Sequence, residues 1–403
     1  MGRSDTAKVL VATLFGSMDT NALVPVLALY AASPAIGADL LQVGVIVGLY
    51  SAVHAPANLL MGRLADRIGR KLPLNVGLLW DAVSLALYAV AASPLQLALV
   101  RVGHGLGGAL VGPSTMSLVA DTAPPDRKGR AMALYGMSIA LAVVVGFGIA
   151  GPLARLSYTV LFGVLAAGLL AGFLVSLTIR EPPRVRAERR GDVRGLLRYL
   201  RRPEPAAGYA AIFSLYFLLG AFVALVPIHL QDELGYGPLE VGLSFTVFAL
   251  LSLVLHYPAG ILADRRGPAT PAMIGLAAVA AAMAVIPLAR SVGTIALTMA
   301  LFGVGHGFVF PAASSLVSRH APPDRVGVAT GLFYAVLVAG VAVGAPAMAA
   351  VADASTAAFG IWAASWFAFI GIPLVVRALV APSAGTSPAP GRTPAPAEGP
   401  ADP

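Results

Sequence analysis

The chain has 403 residues, a net charge of +8, no cysteine and a mean hydropathy of +0.83. Charged residues make up only 11%, against roughly 25% in soluble proteins, which excludes a string of soluble domains and calls for an apolar solvent around most of the chain. Zero cysteines exclude disulfides, thiolate metal sites and thiol nucleophiles, and the positive balance fits topology-setting basic loops better than a nucleic-acid partner.

A membrane-spanning helix needs about 20 apolar residues. Twelve such runs are predicted, at 8–32, 40–61, 72–92, 95–120, 130–153 and 158–179, then 207–229, 238–262, 270–289, 292–317, 328–351 and 355–379. Barrel strands would alternate in polarity and be about half as long, so the spans are α-helices and the fold class is an all-α polytopic membrane protein. The first apolar run is too long for a signal-peptide core, and no small-residue cleavage site follows it.

Basic residues collect on one set of loops: Arg63, Arg67, Arg70, Lys71, Arg127, Lys128, Arg130, Arg265, Arg266, Arg319, Arg325 and Arg377, with the 180–202 segment. The other set holds only Arg155 and Arg290. The first set is expected to be cytoplasmic, which puts both termini in the cytoplasm of a multi-pass protein of the inner or plasma membrane. Arg180–Pro205 carries nine arginines among four acids, with Leu196, Leu197, Tyr199 and Leu200 as an apolar stripe. It is read as an amphipathic linker at the headgroups. The tail from Ala381 is rich in Pro, Ala, Gly and Ser and is expected to be disordered. The expected division is thus a first bundle at 1–180, a linker at 181–206, a second bundle at 207–380 and a tail at 381–403.

The stretch Gly62-Arg63-Leu64-Ala65-Asp66-Arg67-Ile68-Gly69-Arg70-Lys71 packs five charges into a hairpin between the second and third spans. Moving 198 positions on gives Gly260-Ile261-Leu262-Ala263-Asp264-Arg265-Arg266-Gly267. The same offset carries Ala123-Pro124-Pro125-Asp126-Arg127 onto Ala321-Pro322-Pro323-Asp324-Arg325 and Pro113 onto Pro311. The chain is therefore a tandem duplication of a unit about half its length. Gly62 and Gly69 permit close helix approach and a tight turn. Asp66 is a carboxylate suited to free N–H groups at a neighbouring helix N-terminus.

The Gly-x-Leu-Ala-Asp-Arg-x-Gly-Arg-Lys loop and its weaker echo resemble the signature loop of the major facilitator superfamily. The resemblance extends to about residue 380. It implies two six-helix bundles, each of two inverted three-helix repeats, and substrate binding between them with alternating access. It also implies that Asp66 meets the start of the eleventh span near Val328, and that Arg70 pairs with Asp121. Gly62, Asp66, Arg67, Gly69, Arg70 and Asp121, with Asp264 and Arg265 in the second copy, would form a cytoplasmic latch. The second copy departs from the pattern: Pro268 stands for Arg70 and Arg319 for Asp121, so Asp264 is expected to meet Arg319.

On the fourth span, Leu97-x-x-x-Arg101-x-x-His104-Gly105-x-Gly107-Gly108-Ala109 resembles the motif of proton-linked members, with His104 in place of the usual glutamine. An intramembrane arginine costs at least ~2.5 kcal/mol unless paired or hydrated. Asp19 in the first span and Asp81 in the third are deep acids that can carry a proton. The resemblance puts the third span at the periphery, which favours Asp19 over Asp81. Asp19 and Arg101 are expected to interact, directly or through water. Gly148, Gly151 and Pro152 form a degraded match to the glycine–proline motif of the drug:proton antiporters. Asn21, Asn58, His104, Tyr135, Tyr216, His256, His306 and Tyr334 are the candidate cavity residues.

The reading is a twelve-helix secondary transporter, expected to export a hydrophobic or cationic small molecule against protons. It is expected to act as a monomer among membrane lipids, with the proton gradient as its only energy source. Rival readings are a proton-coupled importer of a sugar, peptide or organic anion, a lipid or lysolipid flippase, and a non-transporting membrane sensor. The histidines lack metal-ligand spacing on one helix, so no metal site is assigned. No enzyme activity or other cofactor is expected.

Overall fold

The computed structural model describes residues 3–122, 128–180, 199–200, 202–319, 321 and 326–380. Among these are fourteen α-helices and no strand. The first half holds α1 (Arg3–Leu23), α2 (Leu27–Ala32), α3 (Leu40–Ile68), α4 (Lys71–Val90), α5 (Pro94–Thr122), α6 (Lys128–Leu156) and α7 (Tyr158–Leu177). The second holds α8 (Pro203–Leu234), α9 (Pro238–Arg266), α10 (Ala269–Val285), α11 (Val292–Ser318), α12 (Val326–Asp353), α13 (Ala357–Ser365) and α14 (Ala368–Val380). Ten of them, α3 to α12, are long and apolar enough to cross a membrane.

The first and last predicted spans are each broken. The first divides around Val24–Val26, where Pro25 has no N–H to continue the ladder. The last divides at Trp366 and Phe367. The seventh span starts at Pro203, four residues before the predicted 207. Leu95, Leu99, Leu156, Val254, Leu288 and Leu297 are exposed on the outside of the bundle, as lipid-facing residues must be.

The duplication is visible in the packing. Gly69 and Gly267 end α3 and α9 with φ of 98° and 82°, a backbone that only glycine adopts without strain. An added Cβ at Gly77 would stand 3.0 Å from the Gly107 carbonyl, and one at Gly275 would stand 2.7 Å from that of Gly305. These are the same α4–α5 and α10–α11 contacts, 198 positions apart. Two lysines cap the C-terminus of α7: Lys71 Nζ donates to the Leu177 carbonyl at 2.9 Å and Lys8 Nζ to that of Thr178 at 3.2 Å.

The halves meet where α3 packs on α12 and α6 packs on α9. The closest approaches lie at the end of the bundle away from Gly69 and Gly267. Gly44 faces Ala345 and Ala349, and a Cβ at Gly48 would lie 2.9 Å from Pro346. In the related seam, a Cβ at Gly242 would lie 2.7 Å from the Gly151 Cα, and one at Gly151 would lie 2.8 Å from the Pro238 carbonyl. Gly44 and Gly242 are duplicates, as are Gly151 and Ala349. The two seams are therefore one contact made twice about a pseudo-two-fold axis. Phe147 of α6 adds rings to the second seam, 6.2 Å from Phe245 and 6.0 Å from Phe248.

A leucine in place of Gly44 is expected to hold the seam open. The natural chain has no cysteine, so spin labels at Ala35→Cys and Ser355→Cys report this end alone. Electron–electron resonance should give a longer mean distance in the Gly44→Leu protein; an unchanged distribution would contradict the assignment.

Candidate functional site

The glycines of α5 are what assemble the site. A Cβ at Gly105 would lie 2.9 Å from the Tyr50 carbonyl of α3, and Gly107 and Gly108 lie directly against Asp81 and the Tyr50 hydroxyl. Trp80 Nε1 donates to the Gly103 carbonyl at 2.8 Å. With no side chains on that face, α3 and α4 close on α5 and deliver their polar groups to Arg101 and His104.

Asp19, Asp81, Arg101 and His104 are all buried, from 0% to 6% exposed. His104 Nε2 is 3.0 Å from Asp19 Oδ2, and its Nδ1 is 3.2 Å from the Tyr88 hydroxyl. Arg101 Nη1 donates to that hydroxyl at 3.3 Å, its Nε donates to the Ile46 carbonyl at 3.3 Å, and its guanidinium lies 4.8 Å from the centre of the Tyr50 ring. Arg101 can only donate, so the Tyr88 oxygen accepts from it. With His104 neutral and its proton on Nε2, Tyr88 donates to Nδ1 and Nε2 donates to Asp19, and the hydrogen bonds run from Arg101 through Tyr88 and His104 to Asp19. With His104 protonated, both ring nitrogens donate and Tyr88 accepts twice.

Three findings differ from the sequence expectations. Asp19 and Arg101 are joined through His104 and Tyr88 rather than by a direct contact. Asp81 is no peripheral acid: its ligand atom, that of Asp19 and that of His104 lie within 4.8 Å of one another. Tyr88, Tyr50 and Thr20 were not among the candidates. Tyr50, with its hydroxyl accepting from Thr20 at 3.4 Å, heads a four-residue spacing through His54 and Asn58 that marks one helix face. Tyr88 carries no local signal.

The remaining candidates fall into three groups. Asn58 lies 3.4 Å from His54, and Asn21 donates to the Ser17 carbonyl at 2.6 Å, so both sit close to the charged cluster's helices. Tyr216, His256 and His306 meet in the second half: His306 Nδ1 is 2.7 Å from Ser252 Oγ, its Nε2 is 3.4 Å from the Tyr216 hydroxyl, and the two histidine rings are 6.0 Å apart. Phe310 stacks on His306 at 6.2 Å. Tyr334 is half-exposed on α12, and Tyr135 lies on α6. Gly151 is in the seam, Pro152 is inside α6 and Gly148 faces open space.

At the Gly69 end, Arg70 pairs with Asp121, and in the second half Asp264 pairs with Arg319. Arg67 and Arg265 are exposed. The surroundings of Gly62 and the side chains of Asp66 and of Val326 at the start of α12 lie outside the described part of the chain, as do 181–198 of the linker and the tail from 381. Tyr199 is buried, donating to the Val317 carbonyl at 2.6 Å, with its ring 6.5 Å from Tyr209. Tyr199 of the linker is thus anchored on the end of α11 in the second half.

Charged side chains are kept this deep in apolar helices where solutes or ions pass, which places the protein among the multi-pass membrane transporters. Comparison with known proteins agrees. The family model for the Major Facilitator Superfamily matches residues 9–228 and 208–400. The uncharacterized MFS-type transporter MJ1560 of Methanocaldococcus jannaschii is 24% identical over 86% of this chain and 90% of its own. The multidrug resistance protein MdtH of Cronobacter sakazakii is 28% identical over 70% of each chain. Among solved structures, a bacterial homolog of the human lysosomal transporter Spinster, inward-facing and unoccupied, superposes with a TM-score of 0.81 at 16% identity, covering 94% of this chain and 98% of its own. The nucleoside transporter NupG gives 0.80 at 13% identity, covering 93% and 100%. The chain belongs to the Major Facilitator Superfamily.

A methyl group at Gly107 would collide with Asp81, whereas Gly112 on the same helix faces open space. Gly107→Ala is expected to cost about 1–3 kcal/mol and to lower the melting temperature of the detergent-purified protein. Gly112→Ala should leave it unchanged.

Proposed function

We propose that the chain is a proton-coupled exporter of a hydrophobic or cationic small molecule, working by alternating access. The observation that carries this reading is the buried chain of contacts from Arg101 through Tyr88 and His104 to Asp19. Its Arg101 end is fixed to the Ile46 carbonyl of α3. That helix lies between α5 and α12, and Gly44 and Gly48 on its other face make the seam between the halves. A proton on Asp19 removes the charge that His104 donates to. His104, Tyr88 and Arg101 must then re-pair, and the hold of Arg101 on α3 changes with them. The proton site and the seam are in this way two ends of one mechanical linkage.

The bundles at 1–180 and 207–380 are the moving bodies of this reading. Substrate binds between them, against Asn21, Asn58 and Tyr135 on one side and Tyr216, His256, His306 and Tyr334 on the other. The aromatic surroundings of His306 suit an apolar or cationic ligand, and the similarity to MdtH supports a drug-like one. The basic loops support a cytoplasmic Gly69 end, with both termini on that side of the inner or plasma membrane. With that orientation, the closed seam supports an inward-facing form. Arg70–Asp121 and Asp264–Arg319 are each closed within one half in this form, so in this reading the contact that latches one half to the other falls to Asp66. The protein acts as a monomer, with the proton gradient as its energy source.

The test is transport in proteoliposomes with a pH-sensitive dye inside and a panel of lipophilic cations, sugars and lysolipids outside. Proton movement opposite to a lipophilic compound is expected, with loss of coupling in both Asp19→Asn and Tyr88→Phe. Proton movement together with a polar solute would replace export by import. Coupled transport that survives Asp19→Asn would refute the linkage.

A further inference from the structure

We propose that Asp19, Asp81 and His104 form a binding site for one divalent first-row transition-metal ion of the Mn2+ or Zn2+ class. This goes beyond proton coupling and does not depend on it. Ligands come from three helices, α1, α4 and α5, and all three side chains are at most 1% exposed. Their donor atoms lie within 4.8 Å of one another. Donors held at 2.0–2.2 Å from a shared tetrahedral ion stand about 3.3–3.6 Å apart, so the widest of the three pairs draws in by up to about 1.5 Å on binding.

Two buried oxygens point to an occupant. Asp19 Oδ1 and Asp81 Oδ1 have no hydrogen-bond partner, a costly state for a carboxylate removed from water. A single proton satisfies one of them and leaves the other. A divalent ion satisfies both, and its two charges match the two carboxylates. The nearby cation does not occupy the place: Arg101 directs Nε to the Ile46 carbonyl and Nη1 to Tyr88, with its face over Tyr50.

The donor set selects the metal. Two carboxylates with one imidazole suit first-row divalent ions, whereas Na+, Mg2+ and Ca2+ favour oxygen alone. His104 also has the outer partner that ligating histidines use, since its Nδ1 lies 3.2 Å from the Tyr88 hydroxyl. In the metal-bound form Nε2 gives up its proton to bind the ion, and Nδ1–H donates to Tyr88. Asp81 packs against Gly107. The geometry is thus a three-ligand site in which His104 already has its outer partner.

The experiment is a Mn2+ titration of the full-length protein in detergent, followed by electron paramagnetic resonance. The signal of free aqueous Mn2+ should fall with one ion bound per chain. Pulsed measurement on the wild-type protein should show coupling to an imidazole nitrogen, a readout that needs no variant to fold. Affinity should weaken about tenfold or more in Asp81→Asn and His104→Gln, and stay unchanged in Asp353→Asn. Absence of saturable binding, binding without nitrogen coupling, or equal affinity in Asp81→Asn would each overturn the site. None of these results bears on proton counterflow, which the dye assay reads with no metal present.

Discussion

A buried acid in apolar surroundings must be neutralised or paired, and here a histidine does the pairing. His104 lies between Asp19 Oδ2 and the Tyr88 hydroxyl, and Arg101 holds that hydroxyl with Nη1 while its Nε grips α3. Glutamine at position 104, the usual residue of the motif, offers an amide in place of a ring with two distinct nitrogens. The histidine lets one side chain answer both the acid and the tyrosine, and so join two charges that never touch.

The rest of the architecture makes that chain mechanically useful. Helix α3 has one face on the charged cluster and the other on the second half. Glycines let both contacts be close: Gly105 and Gly108 on α5 receive α3 on the inner side, and Gly44 and Gly48 on α3 itself receive α12 on the outer side. Large side chains at those positions would have separated the cluster from the seam by a layer of packing. Because the seam is built from backbone-to-backbone contact, small displacements of α3 are felt directly by α12.

Much of this was legible in the sequence. Twelve apolar runs and the 198-residue repeat dictated the helical architecture, because lipid leaves the backbone no alternative to helix in such runs and a duplicated unit repeats its packing. The charged loop, its echo and the exchanged partner Arg319 were readable because charge in an apolar chain is rare. What was not readable was lateral proximity. Asp81 and Tyr88 lie on α4, and nothing in their spacing says that α4 meets α5 through Gly77 and Gly107 closely enough to bring them to His104. The break at Trp366–Phe367 was equally silent, since the run stays apolar across it. The glycine face of α5 was noticed as a motif; what it was for depended on which helices fill it.

The two ion pairs at the Gly69 and Gly267 ends carry a record of how the halves diverged. In the first, the cation is Arg70 at the start of α4 and the anion is Asp121 on α5. In the second, the anion is Asp264 on α9 and the cation is Arg319, at the position equivalent to Asp121. The sign at the end of one helix has been reversed, and the partner has moved to the opposite side of the turn, leaving Pro268 where an arginine would now face another arginine. The halves are no longer interchangeable parts. A chimera carrying the first loop in the second position would set Arg beside Arg319, with Asp66 in the place of Asp264 as the one anion between two cations, so ancestry from one gene persists in the fold while the electrostatics disfavour a return to identical copies.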